Sequence, residues 1–430
     1  MAWRITLLFS VVLFCATSNR GSGADIASAL PPPPPADANQ LRALVQEARE
    51  RNPEVQAARR AIEAKRARIP QARAWSDPTV SVSYGGNVLP PFTLMNGDPS
   101  SARQFTAEQE IPYPGKTRLR GEIATREADA EALSYEAVLR RIEAEVKQAY
   151  FDLYFTDQSF TTLRKDRELL QRFAKVAEIR YSVGKAAQQD VLRAQVELSR
   201  LTERETVLEQ TRQTLAAQLN SLRDLPVDAP IGSLAGTQQS VLLLSFDELM
   251  AAAQANFPVL KRQRALVEGT RLTVELARKE TRPNFSLGYT YMQRAGLPDM
   301  YGITFSTSLP IFHRSKQDQA VAEAAANLES ARRTEANELT LLRYRVKQEY
   351  LQAQAADQLL KLYAQGIVPQ STLTLESSLS SYETGATDFL TVLSNFTTVL
   401  DYELGYQQQL ATHEKTLARL EELTGLNLIQ

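Results

Sequence analysis

The feature of this sequence that most restricts its fold is one very long stretch without helix breakers. Between Lys116 and Tyr181 the chain has a single glycine, no proline and abundant Ala, Glu, Arg and Leu, which all favour helix. A continuous helix of about 66 residues would be about 100 Å long at 1.5 Å per residue, which no compact globular domain accommodates. The stretch therefore predicts an elongated, mainly α-helical molecule.

A second helical stretch follows Gly184 and ends near Leu222. Its leucines recur every seven residues, at Leu201, Leu208, Leu215 and Leu222. A strict seven-residue repeat predicts left-handed supercoiling against neighbouring helices. We therefore expect long coiled-coil packing, because nothing else in the chain could cover helices of this length.

The chain also repeats one pattern from end to end. Val146-Lys147-Gln148 recurs 200 positions later as Val346-Lys347-Gln348. Further pairs in the same order are Pro53 and Pro258, Pro78 and Pro283, Tyr84 and Tyr289, Pro112 and Pro310, Tyr181 and Tyr382, and Gly184 and Gly385. The spacing is 205 up to Tyr84 but 198 at Thr106 and Pro112, which places a length difference in the loop between Tyr84 and Thr106. From Val146 onwards the spacing is 200 or 201. Loops tolerate such differences.

The duplication predicts two structural repeats, 39–230 and 246–430. Each has a helical stretch (38–75 and 246–281), a β-hairpin (79–111 and 284–309) and then two long helices. This is an internally duplicated, mainly α fold with a small β part.

Four short segments in the two hairpins alternate apolar with small polar residues, although 104–111 does so less clearly. The apolar members are Val80, Val82, Tyr84, Phe105, Phe285, Leu287, Tyr289, Tyr291, Tyr301, Ile303 and Phe305. Alternation over nearly ten residues is typical of transmembrane β-strands, whose apolar side chains face lipid. The alternative for any one segment alone is a half-buried sheet on a soluble domain.

Four strands are too few to close a barrel, since about eight is the smallest number known. An open sheet edge in lipid would leave backbone groups unpaired. The chain is therefore expected to oligomerise. A dimer would have eight strands and a filled interior, and a trimer would have twelve and room for a channel. The small polar face favours the trimeric channel.

The N-terminus has the pattern of a targeting segment. A basic start (Met1–Arg4) precedes an apolar run (Ile5–Ala16) and small residues, which predicts a secretory signal peptide over 1–29. Five consecutive prolines follow, within a predicted Pro-rich spacer over 30–38. Cys15 suggests lipidation, but Phe14 occupies a position that needs a small residue. Without Cys15 the secreted chain would have no cysteine.

Composition excludes several functions. Lys plus Arg total 49 and Asp plus Glu total 50, so the chain lacks the basic excess of a nucleic-acid binder. One Cys and two His exclude thiol redox work, a zinc cluster and most His-based catalysis. Met292, Met300, His313 and His413 are most simply ordinary residues. We expect neither an enzyme, nor a cofactor, nor a metal site.

Particular motifs carry a family resemblance over 39–429. They are Tyr181-Ser182-Val183-Gly184 followed by Asp190-Val191-Leu192, Tyr382-Glu383-Thr384-Gly385, and the junctions Ile111-Pro112-Tyr113-Pro114-Gly115-Lys116 and Leu309-Pro310-Ile311-Phe312. Together they resemble the TolC-like outer-membrane efflux family. Pro114-Gly115-Lys116, Gln188-Gln189-Asp190 and the Leu297–Met300 loop resemble its heavy-metal (CusC- and CzcC-like) branch.

The resemblance implies a homotrimer with a twelve-stranded outer-membrane barrel and a long α-helical barrel across the periplasm of a Gram-negative bacterium. Such a passive duct docks a periplasmic adaptor (membrane fusion) protein and an inner-membrane RND pump. The resemblance leaves two classes of transported substrate open, heavy-metal cations and drugs. Docking is implied at the helix-hairpin tips, with candidates Tyr181, Gly184, Lys185, Tyr382 and Gly385. The competing hypothesis is a soluble periplasmic coiled-coil adaptor or scaffold.

The gate departs from the family pattern. The best-known member closes with Arg and Asp residues just past the second glycine, where this chain has Thr387, Thr391 and Ser394. The gate candidates are therefore Asp388, Thr387 and Thr391. In a trimer Asp388 would form a ring of three carboxylates that favours cations or repels itself open. The simpler alternative is that Asp388 caps the next helix.

Overall fold

The computed structural model describes residues 36–86, 92–232, 234 and 239–429. Its helices are α1 (Ala36–Arg51), α2 (Pro53–Arg73), α3 (Lys116–Ser182), α4 (Gln188–Leu222), α5 (Phe246–Asn256), α6 (Pro258–Glu280), α7 (Gln317–Leu362), α8 (Val368–Thr384) and α9 (Phe389–Thr424). Its strands are β1 (Thr79–Gly85), β2 (Ala102–Ile111), β3 (Phe285–Gln293) and β4 (Met300–Thr307). The predicted signal peptide, with Cys15, and the proline run lie outside the described residues. Helix α1 begins inside the predicted spacer.

The long helices confirm the elongated fold. Helix α3 has 67 residues and begins at Lys116, as predicted, so it extends for about 100 Å. Helix α4 ends at Leu222, and its heptad leucines face the interior, with Leu201 fully buried. Leu208, Leu215 and Leu222 pack against the same cores at their edges.

Among the described residues, no helix combines the length and the apolar character that crossing a membrane requires.

The helices pack side by side with α3 and α7. On the strand side, α3 packs against α2 and α6, and α7 packs against α6. Towards the other end, α3 packs against α4 and α9, and α9 packs against α7 and α8. Each end therefore presents four neighbouring helical rods in a row.

The two repeats build equivalent cores. Val146 and Val346 are both fully buried, and so are Leu219 and Leu420. The first member of each pair lies in a core with α1 residues, and the second member of each pair lies in a core with α5 residues. Equal burial at matched positions supports the duplication predicted from sequence.

Each predicted N-terminal helical stretch is divided into two helices by a proline. Helix α2 begins at Pro53, and the Asn52 side chain accepts hydrogen bonds from the amides of Glu54 (2.9 Å) and Val55 (3.3 Å). Helix α6 begins at Pro258. Proline disfavours helical geometry in the residue before it and suits the first helical position, so a turn forms at both places.

The long helical stretch of the second repeat differs from α3 because it contains a π-helical turn, Tyr363–Ile367, between α7 and α8. Pro369 follows this turn by two residues. Proline has no amide hydrogen and its ring clashes with the carbonyl four residues earlier. A wider turn relieves that clash, which is a common cause of local helix distortion.

The strands form one antiparallel sheet in the order β1-β2-β3-β4. The hairpin β1–β2 belongs to the first repeat and β3–β4 to the second. They are joined by β2 and β3, in a register that pairs Phe105 with Tyr291 and Ile111 with Phe285. In the described part of the chain, β1 and β4 are therefore open edges.

One buried carboxyl lies between the two helical hairpins. Asp166 on α3 is 3% exposed, and its Oδ2 has no hydrogen-bond partner in the described structure. Burial, and then repulsion by Glu403 on α9, raises the pKa of Asp166 to about 6, against the opposing attraction of Lys165. Lys165 itself pairs with Glu403 at 3.2 Å.

We expect Asp166→Asn to stabilise the protein at neutral pH. Because the pKa of Asp166 is raised in the folded state, the folded protein keeps the proton between pH 3.8 and about 6, where the unfolded chain has lost it. The stability that belongs to the protonated carboxyl is therefore fully present below pH 3.8 and is lost as the pH rises through about 6. The variant should gain about 2 kcal/mol at pH 7.5, after allowance for solvent screening, and almost nothing near pH 4. Thermal denaturation at both pH values measures this. Asp401→Asn, at an exposed acid of α9, should show no such gain, and an equal gain there would contradict the assignment.

Candidate functional site

The first candidate surface is the apolar face of the sheet. All eleven residues predicted to face lipid lie on it, since the register aligns Val80 with Ala107, Tyr289 and Ile303, and Val82 with Phe105, Tyr291 and Tyr301. Aromatic rings stack across strands, at 6.2 Å for Phe105 and Tyr291 and 5.7 Å for Phe285 and Phe305.

This face is open in the chain. Val80 is 72% exposed, Ile303 80% and Phe305 66%. Large apolar patches of this kind mark interaction or membrane surfaces. The alternation from which the strands were predicted is thus expressed as a continuous apolar surface.

The opposite face of the sheet is small and polar. Thr106 and Thr290 share a hydrogen bond of 3.1 Å, and Ser286 donates to Glu108 at 2.5 Å. Glu110 lies on the same face and accepts from Asn284 at 2.8 Å. This face suits water, as the inner face of a channel requires.

The second candidate surface is the pair of helix-hairpin tips. After α3, Gly184 adopts φ +73°, and its amide donates to the Tyr181 carbonyl at 3.0 Å while the Lys185 amide donates to the Arg180 carbonyl at 2.8 Å. After α8, Gly385 adopts φ +84° with the same two bonds, from Gly385 to Tyr382 and from Ala386 to Ser381. Both tips are Schellman caps, which favour glycine.

The tip residues differ in accessibility. Tyr181 is 46% exposed, and Gly184 and Lys185 are exposed beside it. Tyr382 is only 3% exposed and packs on the Phe389 ring at 5.6 Å. Tyr382 therefore supports the tip from within, in contrast to the expectation that both tyrosines offer docking surface.

Arg180 links the two tips, which sequence reasoning missed. Its Nη1 donates to the Tyr382 carbonyl oxygen, and its guanidinium carbon lies 4.6 Å from the centroid of the Tyr382 ring. Burial raises the pKa of the Tyr382 hydroxyl. The only signal in the sequence was a basic residue directly before Tyr181, which does not identify a partner 202 residues away.

The predicted gate residues lie together at the start of α9. The Asp388 carboxylate accepts from the Thr391 amide at 3.0 Å and from its hydroxyl at 2.5 Å. These bonds, with a further contribution from Arg193, lower the pKa of Asp388. Thr387 is half-buried beside them. The geometry is that of a helix N-cap, as the simpler alternative expects, and Asp388 remains exposed on the tip.

Each of the two histidines has an acidic side chain within hydrogen-bond distance of its Nδ1. His313 Nδ1 lies 3.2 Å from Asp318 on the surface, and His413 Nδ1 lies 3.2 Å from Glu414 in the interior. Within the described residues, no group of three or more His, Cys, Asp or Glu side chains could hold a metal ion.

Comparison with known sequences gives one family. The model of the outer membrane efflux protein family matches residues 44–223 and 249–425, one match in each repeat. Protein CyaE of Bordetella pertussis is 26% identical over 268 residues, which are 60% of this chain and 56% of that protein. The chain thus matches little more than half the length of this curated relative.

Comparison with solved structures gives the same fold. The outer-membrane channel OprN matches with a TM-score of 0.78 at 15% identity, over 91% of both chains. VceC of Vibrio cholerae matches with a TM-score of 0.77 at 17% identity, over 91% of this chain and 97% of that one. CusC matches with a TM-score of 0.76 at 16% identity, over 90% and 92%. At these identities the matches establish the architecture.

Proposed function

Since the chain belongs to the outer membrane efflux protein family, we propose that it is the passive, homotrimeric exit duct of a tripartite efflux system. Three sheets of four strands would close a twelve-stranded barrel in the outer membrane, and the helices would continue it into the periplasm. Membership agrees with the prediction of an outer-membrane efflux protein that is not an enzyme.

One observation carries the proposal. Among the described residues, the four-stranded sheet has an apolar face, a polar face and two open edges, and it continues directly into helices about 100 Å long. Edges in lipid must be paired, so the sheet is complete only when copies join edge to edge. An eight-stranded barrel has an interior filled by side chains, so its polar inner face would not line a water-filled channel.

The test is membrane fractionation followed by native mass measurement in detergent. The proposal expects an outer-membrane species of three times the mature chain mass. A protein extracted without detergent as a monomer or dimer would contradict it and would favour the soluble coiled-coil scaffold.

The tips are the proposed contact with a periplasmic adaptor and, through it, an inner-membrane RND pump. Tyr181, Gly184, Lys185 and Gly385 lie on the surface there, and Tyr382 holds the second tip in place. Heavy-metal cations are the proposed cargo, which the acidic side chains of Glu108 and Glu110 on the polar sheet face favour. Metal and drug tolerance of a deletion strain, with and without the restored gene, would separate the two classes of cargo.

Two substitutions separate the roles of Asp388. Asp388→Ser keeps an oxygen that can cap α9, whereas Asp388→Ala removes both cap and charge. If the three carboxylates form part of the gate, both variants should weaken the cation preference of the channel in planar bilayers, and only Asp388→Ala should also lower the denaturation temperature. A wild-type reversal potential in Asp388→Ser would show that the carboxylate is a cap alone.

A further inference from the structure

Two methionines interrupt the polar face of the sheet. Met292 lies two positions after Thr290 on β3, and Met300 lies two positions before Gly302 on β4. Side chains two residues apart on a strand share a face, so both methionines lie on the polar face. In the four described strands they are the only large apolar side chains there. A face that suits water gives them no apolar surface to cover, so their position needs another reason.

The two methionines are direct neighbours across the hairpin. The register pairs Met292 with Met300 on one side and with Gln104 of β2 on the other. Residues directly opposite each other in an antiparallel pair have Cβ atoms about 4.5–5.5 Å apart. Because methionine is unbranched and flexible, both sulfur atoms can reach one ion from that separation. Met300 is 48% exposed and Met292 is half-buried, so the pair is accessible to solvent.

The pair lies at the end of the sheet farthest from the helices. Strand β3 begins at Phe285 just after α6, and β4 ends at Thr307 before α7. The methionines stand at the opposite ends of these strands, on either side of the 294–299 turn. In the proposed duct this is the outer mouth of the barrel. Glu108 and Glu110 lie on the same face near the helices, so an ion moving outwards would meet carboxylates first and thioethers last.

Hydrogen bonds hold the turn between the two methionines. The Gly97 amide, from the loop of the first hairpin, donates to the Ala295 carbonyl at 2.8 Å. The Tyr291 hydroxyl donates to Asp299 Oδ2 at 2.7 Å, and the Arg294 amide donates to Asp299 Oδ1 at 3.3 Å. These bonds fix the spacing of the strands beside the pair, and such support preorganises a binding site.

The chemistry of the side chains points to one class of ion. A thioether sulfur is a soft, polarizable and uncharged ligand, which selects Cu(I) among the metals of proteins, whereas carboxylates and carbonyls suit Mg²⁺ and Ca²⁺. Ag(I) is a soft cation of the same charge as Cu(I). Two uncharged ligands hold such an ion weakly, and weak binding suits a channel because the ion must also be released.

We propose that Met292 and Met300 form a binding site for a soft monovalent metal ion, Cu(I) or Ag(I), at the outer end of the polar sheet face. This inference rests on the duct proposed above and names the class of metal ion that its inner face binds. Barrel diameter grows with strand number, so the pairs of three protomers would be separate sites in a twelve-stranded barrel, with one ion each.

Silver binding to the purified protein tests the site. Detergent-solubilised trimers are dialysed against silver nitrate without chloride or thiols, and the bound metal is measured by mass spectrometry. We expect one silver ion per wild-type chain and its loss in M292L/M300L, because leucine has a similar volume but no sulfur. An excess of Ca²⁺ should leave the silver bound, whereas its displacement by Ca²⁺ would contradict thioether ligands.

Met95 offers a matched control. It lies in the loop of the first hairpin, is 46% exposed and is outside the pair, so M95L should bind silver as the wild type does. Loss of silver in M95L with retention in M292L/M300L would overturn the assignment. Native mass must show trimers for both variants, which separates loss of the ligands from loss of the fold.

Methionine oxidation locates the ion independently. Peroxide converts methionine to its sulfoxide, and a sulfur that holds silver should react more slowly. In wild-type protein, silver should therefore slow the oxidation of Met292 and Met300, followed by peptide mass spectrometry, and leave the rate at Met95 unchanged. Protection of Met95 alone, or equal rates at the pair with and without silver, would contradict the site.

Failure of the site and failure of the duct give different results. Wild-type trimers that bind no silver, or silver binding that persists in M292L/M300L, would overturn the site and leave the duct intact. A wild-type protein extracted without detergent as a monomer would instead overturn the proposed function. The silver measurement on that monomer would still decide whether Met292 and Met300 bind the ion.

Discussion

Arginine in place of Ile303 is expected to remove most of the protein from the outer membrane as assembled trimer. Ile303 lies in the middle of β4 on the apolar face, 80% exposed in the chain and opposite Tyr289. A lipid-facing arginine near the membrane midplane costs about 2–4 kcal/mol in a β-barrel. A trimer would carry three copies, so the total cost is comparable to the whole stability of many folded domains.

The neighbouring residue provides the matched control. Thr304 differs from Ile303 by one position and lies on the polar face, opposite Gly288. Thr304→Arg should therefore assemble at nearly the wild-type level, because its side chain would enter water. The measurement is the amount of heat-modifiable trimer in the outer-membrane fraction. Equal loss in both variants, or in neither, would contradict the lipid-facing assignment.

Valine in place of Gly385 is expected to abolish export while the trimer persists. Gly385 ends α8 with φ +84°, and a Cβ there would lie 3.3 Å from the Arg180 guanidinium. A left-handed conformation costs a non-glycine residue about 1–2 kcal/mol, and a β-branched residue more. The tip should reshape because the cap and the Arg180 link to Tyr382 both depend on this backbone.

Two further glycines make the experiment specific. Gly184 has φ +73° with open space around it, so Gly184→Val tests the backbone conformation alone and should also impair export. Gly232 has open space and an ordinary φ, so Gly232→Val should export normally. The readout is accumulation of an efflux substrate in cells with matched trimer levels. Wild-type export by Gly385→Val would refute the docking role of the tips.

Local sequence determined much of this fold. The bounds of α3 follow from the absence of helix breakers between Lys116 and Ser182, and the four strands follow from alternation that a pleated sheet must express. The positive φ at Gly184 and Gly385 follows from the need of a helix end for a left-handed residue. Such features depend on neighbours within one or two turns, so they could be predicted.

Long-range features could be predicted less well. The π-helical turn at Tyr363–Ile367 was missed, although Pro369 was visible. The burial of Tyr382 was missed because its sequence position matches the exposed Tyr181. The Arg180–Tyr382 link was also missed, since a pair so far apart in sequence leaves no local pattern.

The sequence by itself determined the length of the helices, the strands with one apolar and one polar face, the duplication and the family resemblance. The match to the family model confirms that resemblance. Only the tertiary structure decided that β2 pairs with β3, that β1 and β4 are the edge strands among the described residues, and that Lys116 is buried. The physical reason is that the two repeats carry similar local patterns but occupy different environments. Hydrogen bonding and burial between distant segments distinguish the two strands that pair inside the chain, β2 and β3, from the two strands at the edges of the sheet.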